Sequence, residues 1–150
     1  MTNNPLYVED LHVGQRFVSG PAEIGSEEIK AFAQAFDPQP FHLDDEAAKA
    51  TLFKGLAASG WHTSALTMRL NVESLPLAGG VIGMGVEVDW IAPVRPGDTL
   101  HVESEVVEIA PPAPGGRRGV VVILGRTVNQ KGETVQTNKA RLLVSRRPGG

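Results

Sequence analysis

The chain has 150 residues, no cysteine and a net charge of −3, from 14 basic and 17 acidic side chains. That length suits one ordinary domain, residues 1–150, with a core of its own. The composition excludes disulfides, thiolate nucleophiles and cysteine-ligated zinc, and the charge balance offers no positive field to nucleic acid.

The first residues, MTNNPLYVEDL, lack the layout of a secretory signal, and no apolar run is long enough for a membrane helix. A cytoplasmic protein without membrane or nucleic-acid partners is the expectation, and the lack of cysteine fits a reducing compartment. A short N-terminal strand precedes SEEIKAFAQAF, where Ser26 is placed to cap a helix and Glu27 and Glu28 favour its positive end. Ile29, Phe32, Ala33 and Phe36 recur at helical spacing, and Pro38 ends the helix by pushing Asp37 out of the helical region. DDEAAKA predicts a second short helix from Asp44.

The third helix begins near Gly60, in SGWHTSALTMRLNVESL. Small or apolar residues cover nearly every face of its first turns, which predicts burial. From residue 79 the texture changes to four runs rich in β-branched residues: GGVIGMGVEVDWIAP, DTLHVESEVVEIA, RGVVVILGRTVNQ and ETVQTNKARLLVSRR. PVRPGD and NQKGE are turns, and PPAPGGRRG is a surface loop. The order describes an α+β fold with one antiparallel sheet around a central helix. Such a sheet covers the helix on one side only, so a homodimer or an assembly of dimers is expected.

Asp37 and His42 bracket two prolines in FDPQPFH. On a continuous helix they would stand about 140° apart, and on a straight strand an odd separation sends them to opposite faces. Convergence therefore requires a bend, which Pro38 and Pro40 make cheap. A purely structural turn would look the same. Downstream, GLAASGW is small and flexible up to the start of the third helix, so backbone N–H groups near Gly60 are open to close approach. Such a helix start suits an oxygen that gains negative charge, although small residues there also serve plain packing.

The stretch FAQAFDPQPFHLDDEAAKATLFKGLAASGWHTSALTMRL, together with IAPVRPGDTL further on, resembles the MaoC-like dehydratases, relatives of the (R)-specific enoyl-CoA hydratases. The similarity runs from about residue 10 to residue 146. It implies a hotdog fold, an antiparallel sheet wrapped around a long central helix, usually dimerised. It also implies reversible addition of water to a trans-2-enoyl thioester, giving an (R)-3-hydroxyacyl thioester. Asp37 and His42 match the family's catalytic acid and histidine, and Gly60 matches the glycine whose N–H holds the thioester carbonyl. Three positions depart from the pattern: Phe36 replaces a glycine, Gln39 an asparagine, and Ser59 a frequent histidine. Phe36, Ser59 and Trp61 are accordingly assigned to substrate binding, the two aromatics as bulk near the acyl group or the entrance. Coenzyme A enters as part of the substrate, and neither a metal nor a redox cofactor is expected.

Two other readings stay open, a hotdog acyl-CoA thioesterase and a non-catalytic acyl-CoA-binding module. The acids of HLDD are assigned to helix-dipole stabilisation rather than to a metal. His62 is assigned to packing or capping, Trp90 to the core, Arg69 to an ion pair, and the RR pairs at 117–118 and 146–147 to solvated ends.

Overall fold

A computed structural model describes residues 4–149 of the protein. The first three residues of the N-terminal segment, and Gly150, lie outside the described residues. The elements are β1 (Arg16–Val18), β2 (Ala22–Glu23), α1 (Ser26–Phe36), α2 (Pro40–Leu43), α3 (Asp45–Lys49), α4 (Gly60–Ser74), β3 (Ile82–Trp90), β4 (Thr99–Ala110), β5 (Arg118–Val128) and β6 (Thr134–Ser145). The sheet runs β1-β4-β5-β6-β3, every pairing antiparallel, with β2 also on β4. This is the hotdog arrangement implied by the resemblance. The single N-terminal strand expected from sequence is a pair of short strands, both on β4.

β4 shows how the sheet acquires its two faces. Leu100, Val102, Ser104 and Val106 are buried while Thr99, His101, Glu103 and Glu105 are partly exposed, the period of two that a half-wet strand requires. The apolar core lies in two clusters. One joins the Val8–Asp10 turn and Leu75 to Val106, Ile123 and Val144. The other joins Ile29 of α1 and the loop residues Leu56 and Ala58 to Val94, Leu100 and Val135. The second cluster ties α1 and the loop to the sheet.

Between the clusters α4 meets the sheet through polar rungs. Ser64 Oγ donates to Gln136 Oε1 at 2.7 Å, the Thr67 and Thr127 hydroxyls share a bond of 2.6 Å, and Ser104 Oγ donates to Asn71 Oδ1 at 3.3 Å. Gln136 and Thr127 are fully enclosed, so these bonds keep the helix in register at little desolvation cost.

Several expectations need correction. Ser26 is the first residue of α1, not its cap; Gly25 holds that position, and its N–H is taken by Glu28 Oε1 at 2.9 Å. α4 is not buried on every face: Thr63, Thr67 and Leu70 are, whereas Met68 and Val72 are 44% and 51% exposed. One sheet shields one side of a helix, and its apolar far side is left open. Trp90 is not core but 46% exposed, because it ends the edge strand β3. Arg147 is not merely solvated: it pairs with Asp10 at 2.6 Å and lies over the Tyr7 ring at 4.8 Å. Arg69 does pair with an acid, Glu73, at 3.5 Å.

Candidate active site

Asp37 and His42 are brought together by two helix ends. α1 stops at Phe36 because Pro38 forbids helical geometry at Asp37, whose φ and ψ are −153° and 66°. The chain then turns through Gln39, and Pro40 opens α2 at its first position, where a missing N–H costs nothing. This one-turn helix, absent from the sequence reading, carries His42 back under Asp37. Asp37 Oδ2 stands 3.3 Å from His42 Nε2, with the histidine side chain 5% exposed and the aspartate 17%.

His42 is fixed from its other side. Its Nδ1 lies 2.6 Å from the carbonyl oxygen of Ala57. A carbonyl only accepts, so Nδ1 carries a hydrogen and Nε2 is the nitrogen that faces Asp37. Whenever Nε2 is unprotonated, a carboxylate and a lone pair face each other. A water donating one hydrogen to each satisfies both.

Burial by itself would push the Asp37 carboxyl up. The Ser59 hydroxyl, the Gln39 amide and the His42 imidazole outweigh it, and its pKa lies below the ordinary carboxylate value. Gln39 Nε2 donates to Asp37 Oδ1 at 2.5 Å.

Ser59 is enclosed and caps α4, its hydroxyl accepting from the Trp61 N–H at 3.2 Å. The His62 and Thr63 N–H groups both go to the Ser59 carbonyl. Among the described residues this leaves the Gly60 N–H without an intramolecular acceptor in the first turn. Gly60 and His42 line one cavity of about 410 Å³, whose walls include Leu52, Phe53, Trp90 and Ile91. A free donor at a helix start and a positioned base thus share one space.

The substitution Ser59→Ala tests this electrostatic balance. Removing a donor from the carboxylate raises the Asp37 pKa, so the acid limb of a kcat/KM profile shifts to higher pH. The same hydroxyl caps α4, and its loss lowers stability by ~1 kcal/mol. A pH titration of activity checks the first effect and thermal unfolding the second; an unmoved acid limb would remove Ser59 from the environment of Asp37.

Phe36 and Trp61 are not among the side chains lining this cavity. Phe36 packs on Phe32 with ring centroids 5.1 Å apart, and Trp61 meets Trp90 edge-on at the same distance. Both are largely exposed. The large aromatics that face the cavity are Phe53 and Trp90, the second of which was expected in the core. His62 stacks on Phe32 at 4.7 Å, and burial pushes its pKa down against the opposing pull of Glu28. Asp44 caps α3 through the Glu46 and Ala47 N–H groups, and Asp45 pairs with Lys30 at 2.6 Å.

Arg95, in the turn PVRPGD, is a supporting residue. Its guanidinium donates to the carbonyls of Gly55 and Leu56 at 2.9 and 3.2 Å and also to that of Phe53. It thereby ties down the loop that delivers Ala57 to His42 and Ser59 to Asp37. The available signal was a single cation inside the turn PVRPGD, whose partners are carbonyls about 40 residues away.

The MaoC like domain family model matches residues 10–139. The chain is 32% identical to the 3-hydroxybutyryl-CoA dehydratase of Methylorubrum extorquens, over 97% of this chain and 94% of that one. A crystal structure of a MaoC-like dehydratase from Rhodospirillum rubrum superposes with a TM-score of 0.92 at 55% identity, covering 95% of this chain and 99% of the other. An (R)-hydratase of Pseudomonas aeruginosa in unliganded form superposes at 0.79 with 30% identity, covering 95% and 88%. With a family model that spans most of its length and relatives of 30% identity or more over nearly all of it, the chain belongs to the MaoC-like dehydratase family.

Proposed function

We propose that this protein is a hydro-lyase that adds water reversibly to a trans-2-enoyl thioester carried on coenzyme A, yielding the (R)-3-hydroxyacyl thioester. The observation that carries the reading is the 3.3 Å approach of Asp37 Oδ2 to His42 Nε2, with Nδ1 committed to Ala57.

The carbonyl of the thioester accepts from the Gly60 N–H. A water held between Asp37 and His42 gives one proton to Nε2 as its oxygen forms the bond to C3. The π electrons of the double bond move to the thioester as an enolate, whose charge rests on the oxygen at Gly60. The proton then crosses from Nε2 to Oδ2 and on to C2, which restores the carbonyl and returns both side chains to their starting state. Water contributes one hydroxyl and one hydrogen in total, and no electron acceptor enters. The lowered pKa of Asp37 suits it to orient water as a carboxylate at rest and to carry a proton only in passing. Ser59 acts on the substrate's surroundings through Asp37, whereas Phe36 and Trp61, exposed and outside the cavity that holds His42, keep no place beside the acyl group.

The active species is a homodimer or an assembly of dimers. The exposed apolar face of α4 and the free edge β3, with Met84 and Val86 exposed, support this. Sedimentation at micromolar concentration gives a species of at least twice the 16.0 kDa chain mass; a monomer alone would exclude it.

The deciding experiment measures a panel of short, medium, branched and aromatic enoyl-CoAs for loss of conjugated absorbance and, in parallel, for free thiol. Hydration proceeds without thiol. Thiol release from saturated and unsaturated acyl-CoA alike would make the protein a thioesterase, and tight binding with neither reaction would leave a non-catalytic acyl-CoA module.

A further inference from the structure

At the end of the sheet opposite the catalytic pair lies a cavity of about 540 Å³. Four arginines line it, Arg117, Arg118, Arg146 and Arg147, and no carboxylate does. The chain as a whole carries a net charge of −3, so this gathering of cations runs against its composition. Arg118 and Val128 are the two ends of β5, separated by roughly 33 Å of extended strand. Val128 pairs with Thr134, the neighbour of Val135 in the wall of the catalytic cavity. The two cavities of one chain are therefore separate sites.

One of the four charges is already matched. Arg147 Nη2 bonds Asp10 at 2.6 Å, its backbone N–H donates to Glu9, and its guanidinium lies over the Tyr7 ring. Arg146 gives one Nη1 hydrogen to the Gly116 carbonyl at 3.0 Å, which fixes the head group and leaves its charge unbalanced. Arg117 and Arg118 are exposed, and among the described residues their side chains make no ion pair or hydrogen bond. The Arg146 N–H donates to the Arg117 carbonyl at 2.8 Å, so the two RR pairs are locked side by side. Solvated ends account for the exposure of these side chains but not for their meeting over one cavity. Three unbalanced cations held close repel one another, and an anion between them relieves that repulsion.

We infer that this arginine-walled cavity is a binding site for the phosphate groups of a nucleotide. A planar guanidinium presents paired N–H groups that match two phosphate oxygens at once, and three of them around one space favour a multiply charged phosphate ester over a single carboxylate. Two sources carry that chemistry: a free nucleotide, or the nucleotide end of a coenzyme A thioester seated in the catalytic cavity of a second copy. The latter source rests on the enoyl-thioester and dimer readings. Two β3 edges paired about a twofold axis run antiparallel, so the Ile82 end of one faces the Trp90 end of the other. Ile82 pairs with Leu143, shortly before Arg146, and Trp90 lines the catalytic cavity. Across such an edge the arginines of one copy stand on the side of the other copy's site.

The test titrates adenosine 3′,5′-bisphosphate and inorganic pyrophosphate into the full chain by calorimetry, with adenosine as the uncharged blank. Both anions bind, added salt weakens them, and adenosine does not bind. The double variant Arg117→Gln, Arg118→Gln lowers their affinity by about 10-fold or more, whereas Lys131→Gln, Lys139→Gln, which removes the same charge outside the cavity, leaves it within about twofold. Absence of binding at millimolar anion overturns the inference, and so does an affinity that the arginine variant leaves unchanged or that the lysine variant lowers equally. Circular dichroism establishes that both variants fold. Steady-state kinetics then separates the two sources. If the phosphates belong to coenzyme A, the arginine variant raises KM for an enoyl-CoA by about 10-fold and leaves KM for the phosphate-free N-acetylcysteamine thioester unchanged; if they belong to a free nucleotide, both KM values stay as they were. Because anion binding is read without turnover, absence of hydration would refute the enzyme assignment while the phosphate site is still decided by calorimetry.

Discussion

Asp37→Asn and His42→Ala each lower kcat/KM for an enoyl-CoA by about 10³-fold or more, with little change in thermal unfolding for Asp37→Asn and a lower unfolding midpoint for His42→Ala. The asparagine keeps the shape of Asp37 and its bond from Gln39, but it presents an amide where a water needs a charged acceptor. It also has no oxygen able to pass a proton. The alanine removes the basic Nε2 and frees the Ala57 carbonyl, which then needs a new donor. His42 is almost fully enclosed, so its removal also leaves a hole beside Phe41 and Phe53. His42→Gln is the companion variant, since it fills more of that space without a base. Loss of activity in a folded Asp37→Asn protein is the expected result. Turnover within a few-fold of the original in either variant would remove the pair from the chemistry, and loss that tracks a collapsed unfolding transition would assign the bracket to structure.

Gly60→Ala lowers kcat/KM by about 10²-fold, the scale of losing one preorganised oxyanion donor. The cause is steric before it is electronic. The new methyl would sit 2.6 Å from Trp90 Cε2 and 2.7 Å from Cδ2, distances real side chains do not tolerate. Either the indole or the first turn of α4 must shift. In both cases the Gly60 N–H loses its place relative to His42. The double variant Gly60→Ala, Trp90→Ala removes the obstacle and recovers most of the loss. If the single variant keeps activity within about threefold, the Gly60 N–H is not the donor to the thioester oxygen. If the double variant recovers nothing and melts earlier, the substitution acts through the stability of α4.

The bracket itself was legible in FDPQPFH because its cause is local. A proline at 38 and another at 40 restrict neighbouring φ and ψ whatever the rest of the chain does, so the end of α1 and the need for a bend follow from stereochemistry. The start of α4 at Gly60, the alternation along β4 and the acids that open α3 are equally local. The family resemblance was carried by this same stretch. Tertiary structure decided everything that depends on which distant residue arrives. Ala57 sets the tautomer of His42, Arg95 holds the loop that brings Ala57 there, and Ser59 and Gln39 hold the Asp37 carboxyl below its ordinary range. Ser64, Thr67 and Asn71 read as minor polar interruptions of a buried helix until Gln136, Thr127 and Ser104 meet them across the sheet. Trp90 shows the limit most plainly. Its hydrophobicity points to a core position, but a strand's place in the sheet is set by pairing with distant residues, for Trp90 with Gln136. The edge position of β3 is what leaves the ring at the mouth of the cavity rather than inside the fold.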